Sequence, residues 1–233
     1  MQTVDLDNLS FQFGGSHPAF AGTEHYEEPK LLAFATSLDL LTHLAADDSH
    51  QTQIQNHVQS RLSEDLVVKE WHKQRTPIGV QPHFKRYRTN SHYEDYHEAA
   101  RALASMTASI TQTSLAQGLD AEITASRIIV PAGQVVFHGR ADHGLHSEAT
   151  YPSFVSTSLD PTVSIYHAVK RGIANKTRPV VYQLTLRDDQ PAIWGNGGSL
   201  NEWELLLQLG LACAVSQIHN GSRFDIVEAS IGR

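Results

Sequence analysis

The 233-residue chain contains one cysteine, Cys213, so no disulfide can close within it. That thiol sits in the apolar run Leu211 to Val215, where a buried core group is expected. Long hydrophobic runs are missing as well. Stretches such as Ile128 to Val130 or Leu205 to Leu207 fall far short of the roughly 20 residues that a membrane-spanning helix needs, so no span is expected. Basic residues are scarce at the start: Lys30 is the first, and Asp5 and Asp7 stand where a cleaved secretory signal would be positive. The expected location is the cytoplasm, or a target cell reached without a cleaved signal. Positive charge is also the minority overall, with 18 Lys and Arg against 25 Asp and Glu, a formal net charge of −7 with the histidines neutral. Nucleic acid is therefore not the expected partner, although Lys85-Arg86-Tyr87-Arg88 forms a local basic patch. No Gly-x-Gly-x-x-Gly fingerprint is present to argue for a doubly wound nucleotide fold.

What is present suffices for one substantial core, or a core with a smaller appended region, at 40% hydrophobic content. The 14 histidines follow no single spacing and read mostly as surface or loop groups that make the protein pH-sensitive. Residues 1–29, with Gly14-Gly15, Pro18, Gly22 and Pro29, read as loop or extended arm. Leu31, Phe34, Leu38, Leu41 and Ala45 recur at helical steps, as do Ile54, Val58, Leu62 and Leu66, and Pro77 and Pro82 close this helical part. A third and longest helix is predicted from Ser91 through Tyr93, Tyr96, Ala100, Leu103, Met106 and Ile110 to near Gly118. Beyond it the pattern turns to short strands: Arg127 to Val130, Gln134 to His138, Phe154 to Ser158, Pro179 to Leu186, Glu202 to Leu207, Leu211 to Gln217 and Arg223 to Ile231. One helix, roughly Pro161 to Ile173 and capped by Asp160, interrupts them. Helices first and strands afterwards give an α+β class.

Three separated segments carry the chemistry: Val135 to Arg140, Phe154 to Pro161, and Asn201 to Leu207. In the last, strand alternation puts Glu202 and Glu204 on one face with Trp203 on the other. Adjacent like charges raise at least one carboxylate's pKa, which suits a reactive pair, while a solvated strand end is the plain alternative. Directly before them, Trp194 to Leu200 holds Gly195, Gly197 and Gly198, either a movable lid beside the acids or an ordinary hairpin connection. His138, His143 and His146 lack the Cys or His-x-x-x-His spacing of a zinc site, so no metal is expected and His143 and His146 read as loop residues.

Phe154-Val155-Ser156-Thr157-Ser158 resembles the Ser-Thr-Ser strand of the Arg-Ser-Glu class of ADP-ribosyltransferases. Glu202-Trp203-Glu204 resembles that class's Glu-x-Glu motif behind a recognition loop. The resemblance runs from about Ser91 to Ile231, which sets the expected boundaries: residues 1–90 as an N-terminal arm and helical region, for target recognition or core completion, and residues 91–233 as the catalytic domain. It implies a split pair of β-sheets around an NAD cleft, with NAD as co-substrate. Ser156 would orient the catalytic Glu204, Thr157 and Ser158 would support the strand, and Glu202 would serve the acceptor, with protein arginine favoured. The first strand departs from the class, which places Arg before Gly. Here His138 precedes Gly139 and Arg140 follows it, so that Phe137-His138-Gly139 is similar to the His-Tyr-Glu class. His138 and Arg140 face one side if the strand stays regular, and both would then reach NAD, the imidazole at a ribose hydroxyl and the guanidinium at the diphosphate. A bulge at Gly139 would break that parity. The implied activity is transfer of ADP-ribose to a protein, as a bacterial or phage effector. The alternatives are NAD glycohydrolysis, transfer to Thr, Ser or nucleic acid, and a non-catalytic binding module.

Overall fold

The computed structural model describes residues 3–6, 9–13, 30–46, 54, 81–89, 92–142, 148–195 and 204–233. Glu202, Trp203, the loop 196–200, His143, His146 and all but Ile54 of the second expected helix lie outside the described residues.

The chain opens with two strands, β1 (Leu9–Phe13) and β2 (Lys30–Phe34), paired antiparallel. The helix expected from Leu31 therefore starts only at Ser37, as α1 (Ser37–Ala45). The cause is local: the Thr36 hydroxyl accepts from the Asp39 amide while the Asp39 carboxylate accepts from the Thr36 amide, a reciprocal cap that fixes the helix start. Pro82, expected to close a helix, opens one instead. In α2 (Pro82–Tyr87) it takes the first turn, where its missing N–H costs nothing, and the Glu122 carboxylate accepts from the next two amides, of His83 and Phe84.

The single long helix expected from Ser91 is two: α3 (Tyr93–Ala104) and α4 (Ile110–Thr124). Met106 adopts a left-handed φ of 58°, and the Ser109 hydroxyl and Gln112 side chain form a second reciprocal cap. Met106 and Ile110 continue the apolar period but are 94% and 91% exposed, so the period runs through a corner.

Next come β3 (Ile128–Val130), β4 (Val135–Arg140), β5 (Glu148–Thr150), β6 (Val155–Ser158) and α5 (Pro161–Asn175). The chain ends with β7 (Val180–Leu186), β8 (Gln190–Gly195), β9 (Glu204–Leu207), β10 (Ala212–His219) and β11 (Asp225–Gly232). The α5 start is as expected, with the Asp160 carboxylate accepting from the Thr162 amide at 2.7 Å. Strands β5 and β8 have no counterpart among the expected strands: β5 spans three residues, and the glycine-bearing segment hides the end of β8, to which Trp194 and Gly195 belong.

Nine strands hydrogen-bond in the order β3-β8-β9-β6-β4-β7-β11-β10-β5, but the joint between β6 and β4 is one register pair, Phe137 with Ser158. The sheet is thus split into a four-stranded and a five-stranded half. The chain weaves between them, since β6, β8 and β9 lie in one and β4, β7, β10 and β11 in the other. Side-chain alternation distributes the core. Val136, Tyr182 and Leu184 meet Val155, Leu205 and Leu207 in a cluster shared by both halves. On the other face Phe137, Val181 and Ile226 pack with Ile165 and Ala168 of α5 and with Leu40, Leu41 and Leu44 of α1. Phe154, Ile193 and Leu206 pack under α2, α3 and α4. Residues before and after position 90 thus share core clusters. The α+β class with a split sheet is the observed architecture.

Candidate active site

The seam where β4 and β6 part collects the polar groups. On β9, Glu204 pairs with Ser158 of β6 and with Gly195 of β8, and its side chain is half-buried. Ser156 Oγ donates to Glu204 Oε1 at 2.6 Å, a charge-assisted bond that fixes the carboxylate. Gly195 makes room for it: a Cβ there would lie 2.6 Å from Glu204 Oε2. Thr157 and Ser158 are buried and their hydroxyls serve the backbone. Thr157 Oγ1 donates to the Leu205 carbonyl at 2.7 Å, and Ser158 Oγ accepts from the Asp160 amide at 3.0 Å.

Across the seam, β4 stays in register with β7 from Val135 to Arg140, so no bulge occurs at Gly139 and His138 and Arg140 share a face. Gly139 faces the other way, against α5, where a Cβ would sit 2.1 Å from the Ser164 carbonyl oxygen. The His138 ring is buried and both nitrogens are engaged. A carbonyl only accepts, so Nδ1–H donates to the Ser156 oxygen at 2.6 Å and Nε2 accepts from the Tyr151 hydroxyl at 2.5 Å. Burial is the largest cause of a pKa lowered to about 3; the bond to Ser156 opposes it, and the charges of Arg140 and Arg171 add to it. His138 thus stitches β4 to β6 beyond their one register pair. Arg140 Nη1 donates to the Tyr151 oxygen at 3.2 Å and Nη2 to Asp142 at 3.3 Å, while its buried Nε has no hydrogen-bond partner.

The helical layer contributes groups that no motif marked. His97 of α3 is held by Ser153 Oγ at 2.6 Å and Tyr87 OH at 3.3 Å, and burial, above all, lowers its pKa to about 3. Burial holds the Tyr87 phenol well above its ordinary range, with Tyr93 and the Glu204 carboxylate reinforcing the effect. Arg171 of α5 donates to the Tyr93 hydroxyl at 3.3 Å and lies 5.8 Å from that ring's centroid, so α5 and α3 are linked by a cation and an aromatic ring. Tyr93 and Tyr96 stood in the sequence only as members of a helical period. Among the described residues no group of three or more His, Cys, Asp or Glu side chains is arranged to hold a metal, and no helix is long and apolar enough to cross a membrane.

Solved structures of ADP-ribosyltransferases share this split-sheet fold. The enzyme Vis from Vibrio splendidus, solved with an inhibitor, matches with a TM-score of 0.54 at 11% identity over 76% of this chain and 90% of that one. C3stau2 from S. aureus, solved with NAD, matches with 0.54 at 15% over 74% and 98%, and the C3 exoenzyme of Clostridium limosum with 0.53 at 14% over 71% and 90%. At these identities the likeness is one of fold. No protein-family model and no curated protein sequence matches the chain.

Proposed function

We propose that this protein cleaves the bond between nicotinamide and ribose in NAD and transfers ADP-ribose to a protein side chain, arginine by preference. The carrying observation is the 2.6 Å bond from Ser156 to Glu204 at the edge of the seam. A hydroxyl donated to one oxygen orients the carboxylate, so its charge meets the oxocarbenium character that develops as nicotinamide leaves with the bonding electrons. Fixed charges of this kind lower a barrier most in a preorganised, water-poor site. The residues present suit a dinucleotide diphosphate: Arg140 keeps a buried N–H without a partner, and Arg171 spends one on Tyr93. C3stau2 was solved with NAD, the substrate carried here by the fold likeness.

Glu202, outside the described residues, is assigned the acceptor step. A carboxylate there would hold the guanidinium fork and take its proton as the nitrogen attacks the ribose carbon. The effector role, delivery into a target cell and the assignment of residues 1–90 to target recognition or core completion belong to the same proposal.

Incubation of the purified protein with labelled NAD is expected to release nicotinamide and to label a protein in lysate, with the modified residue mapped by mass spectrometry. Glu204→Ala should cut turnover by roughly 100-fold or more. Nicotinamide release without protein labelling would make water the acceptor, absence of both would leave a binding module, and a fully active Glu204→Ala variant would remove Glu204 from the mechanism.

A further inference from the structure

Tyr151 carries no motif, yet its side chain contacts both His138 and Arg140 of β4. Its ring is buried in the cluster that both half-sheets share, with centroids 5.5 Å from His138 and an Arg140 guanidinium carbon 5.7 Å away. Its backbone is pinned on both sides: the amide donates to the Leu211 carbonyl at 2.7 Å, and its carbonyl accepts from Gly210 at 3.2 Å. Residues 210 and 211 belong to the connection from β9, in the glutamate-bearing half, to β10, in the other. The Tyr151 backbone is thus tied to the link between the halves.

The hydroxyl sits in a chain of bonds whose direction is forced. Arginine can only donate and a carbonyl can only accept, so protons point one way throughout: Arg140 Nη1 to Tyr151, Tyr151 to His138 Nε2, His138 Nδ1 to the Ser156 carbonyl. From the same residue, Ser156 Oγ continues to Glu204. Every ring in the chain has one tautomer and one orientation available.

We propose that Tyr151 is a positioning residue for the NAD site: its hydroxyl clasps His138 against β6 and steadies Arg140, so the cation-bearing and carboxylate-bearing lips keep one spacing. The proposal rests on the NAD reading above and replaces a direct His138 contact with ribose by an indirect role, since both ring nitrogens are already engaged.

Tyr151→Phe keeps the ring and removes the hydroxyl. The expected result is a folded protein whose kcat/KM for NAD falls about 10-fold to 100-fold, with the larger share in KM because Arg140 loses its support. Nitrogen-15 NMR of the imidazoles should show His138 with Nδ1–H on the Ser156 carbonyl and a hydrogen-bonded, unprotonated Nε2 in the wild type, and the Nε2 resonance should move in the variant while the tautomer stays, a change that general loosening of the core does not produce. Wild-type kinetics in Tyr151→Phe, or an unchanged His138 Nε2 resonance, overturns the proposal while leaving NAD cleavage intact. An inactive wild type instead removes the NAD reading, and the positioning role falls with it.

Discussion

Six register pairs tie β4 to β7 on one side, while a single pair ties it to β6 on the other. The β4–β7 joint is ordinary sheet, in which the backbone satisfies itself and the side chains are left to fill a core. At the β4–β6 joint the backbone groups part, and a side chain takes over the bonding: His138 reaches the Ser156 carbonyl. Buried backbone polar groups must find partners somewhere, so opening a sheet obliges polar side chains to enter the core at the opening. The polarity that makes the seam suited to chemistry is thus a consequence of splitting the sheet. The seam strands also lack backbone strain, since the described non-glycine residues with positive φ, Met106 and Lys176, both lie at helix C-termini.

The largest test of this contrast is Gly139→Ala. The new Cβ would meet the Ser164 carbonyl oxygen at 2.1 Å and the Ala168 nitrogen at 2.9 Å, both backbone atoms of α5 that cannot swing aside. Overpacking of this kind costs about 3 kcal/mol or more, a large share of a typical domain's stability. Urea unfolding should show a midpoint collapse, with NAD turnover lost alongside it. A stable Gly139→Ala protein would mean that α5 can slide on β4, and that the ordinary side of the joint is looser than its register implies.

Acid is the next largest perturbation, and it acts on both lips. His97 and His138 have pKa values lowered to about 3 in the fold, so both stay neutral there while the unfolded chain binds protons below its ordinary histidine range. Their neutral burial therefore favours folding fully above about pH 6.5, and that contribution is lost as pH falls toward 3, at roughly 1.4 kcal/mol per pH unit for each ring. Stability measured across that window should drop steeply in the wild type, and His97→Gln should remove close to half of the slope. A slope untouched by that substitution would place the acid sensitivity in the seam alone.

How much of this was legible depended on whether a signal was local. The pairing of Ser156 with Glu204 was what the resemblance of two short motifs implied, each motif contained within a few residues, and the Asp160 cap at Pro161 is equally local. The caps at Thr36 and Ser109 were just as local, but apolar periodicity overrode them, which merged β2 into α1 and α3 into α4. Tyr151, Tyr93, His97 and Arg171 gave no signal, because each acquires its role from partners far along the chain: Tyr93 lies 78 positions from Arg171, and His97 lies 56 from Ser153. The single register pair of the seam is likewise a property of the assembled sheet.

The smallest effect should come from the glycine facing the carboxylate. Gly195→Ala places a Cβ 2.6 Å from Glu204 Oε2, but unlike the obstacle at Gly139 this is the far end of a side chain that can rotate. The backbone pairing of β8 with β9 need not change, but Glu204 Cβ at 3.1 Å must also give way, so stability should fall by about 1 kcal/mol. The carboxylate, however, would have to turn away from the position in which Ser156 holds it. A displaced electrostatic group loses catalytic benefit steeply with distance, and a fall in kcat of about 10-fold is expected, with KM for NAD changing less. Steady-state kinetics beside a melting curve separates the two quantities. A variant with wild-type kcat would show that the carboxylate tolerates reorientation, and that the seam requires charge there but not a fixed geometry. If kcat falls alone, the two glycines mark the contrast at the level of single atoms: on the β4 side space is reserved for a helix, and on the β9 side for the Glu204 carboxylate.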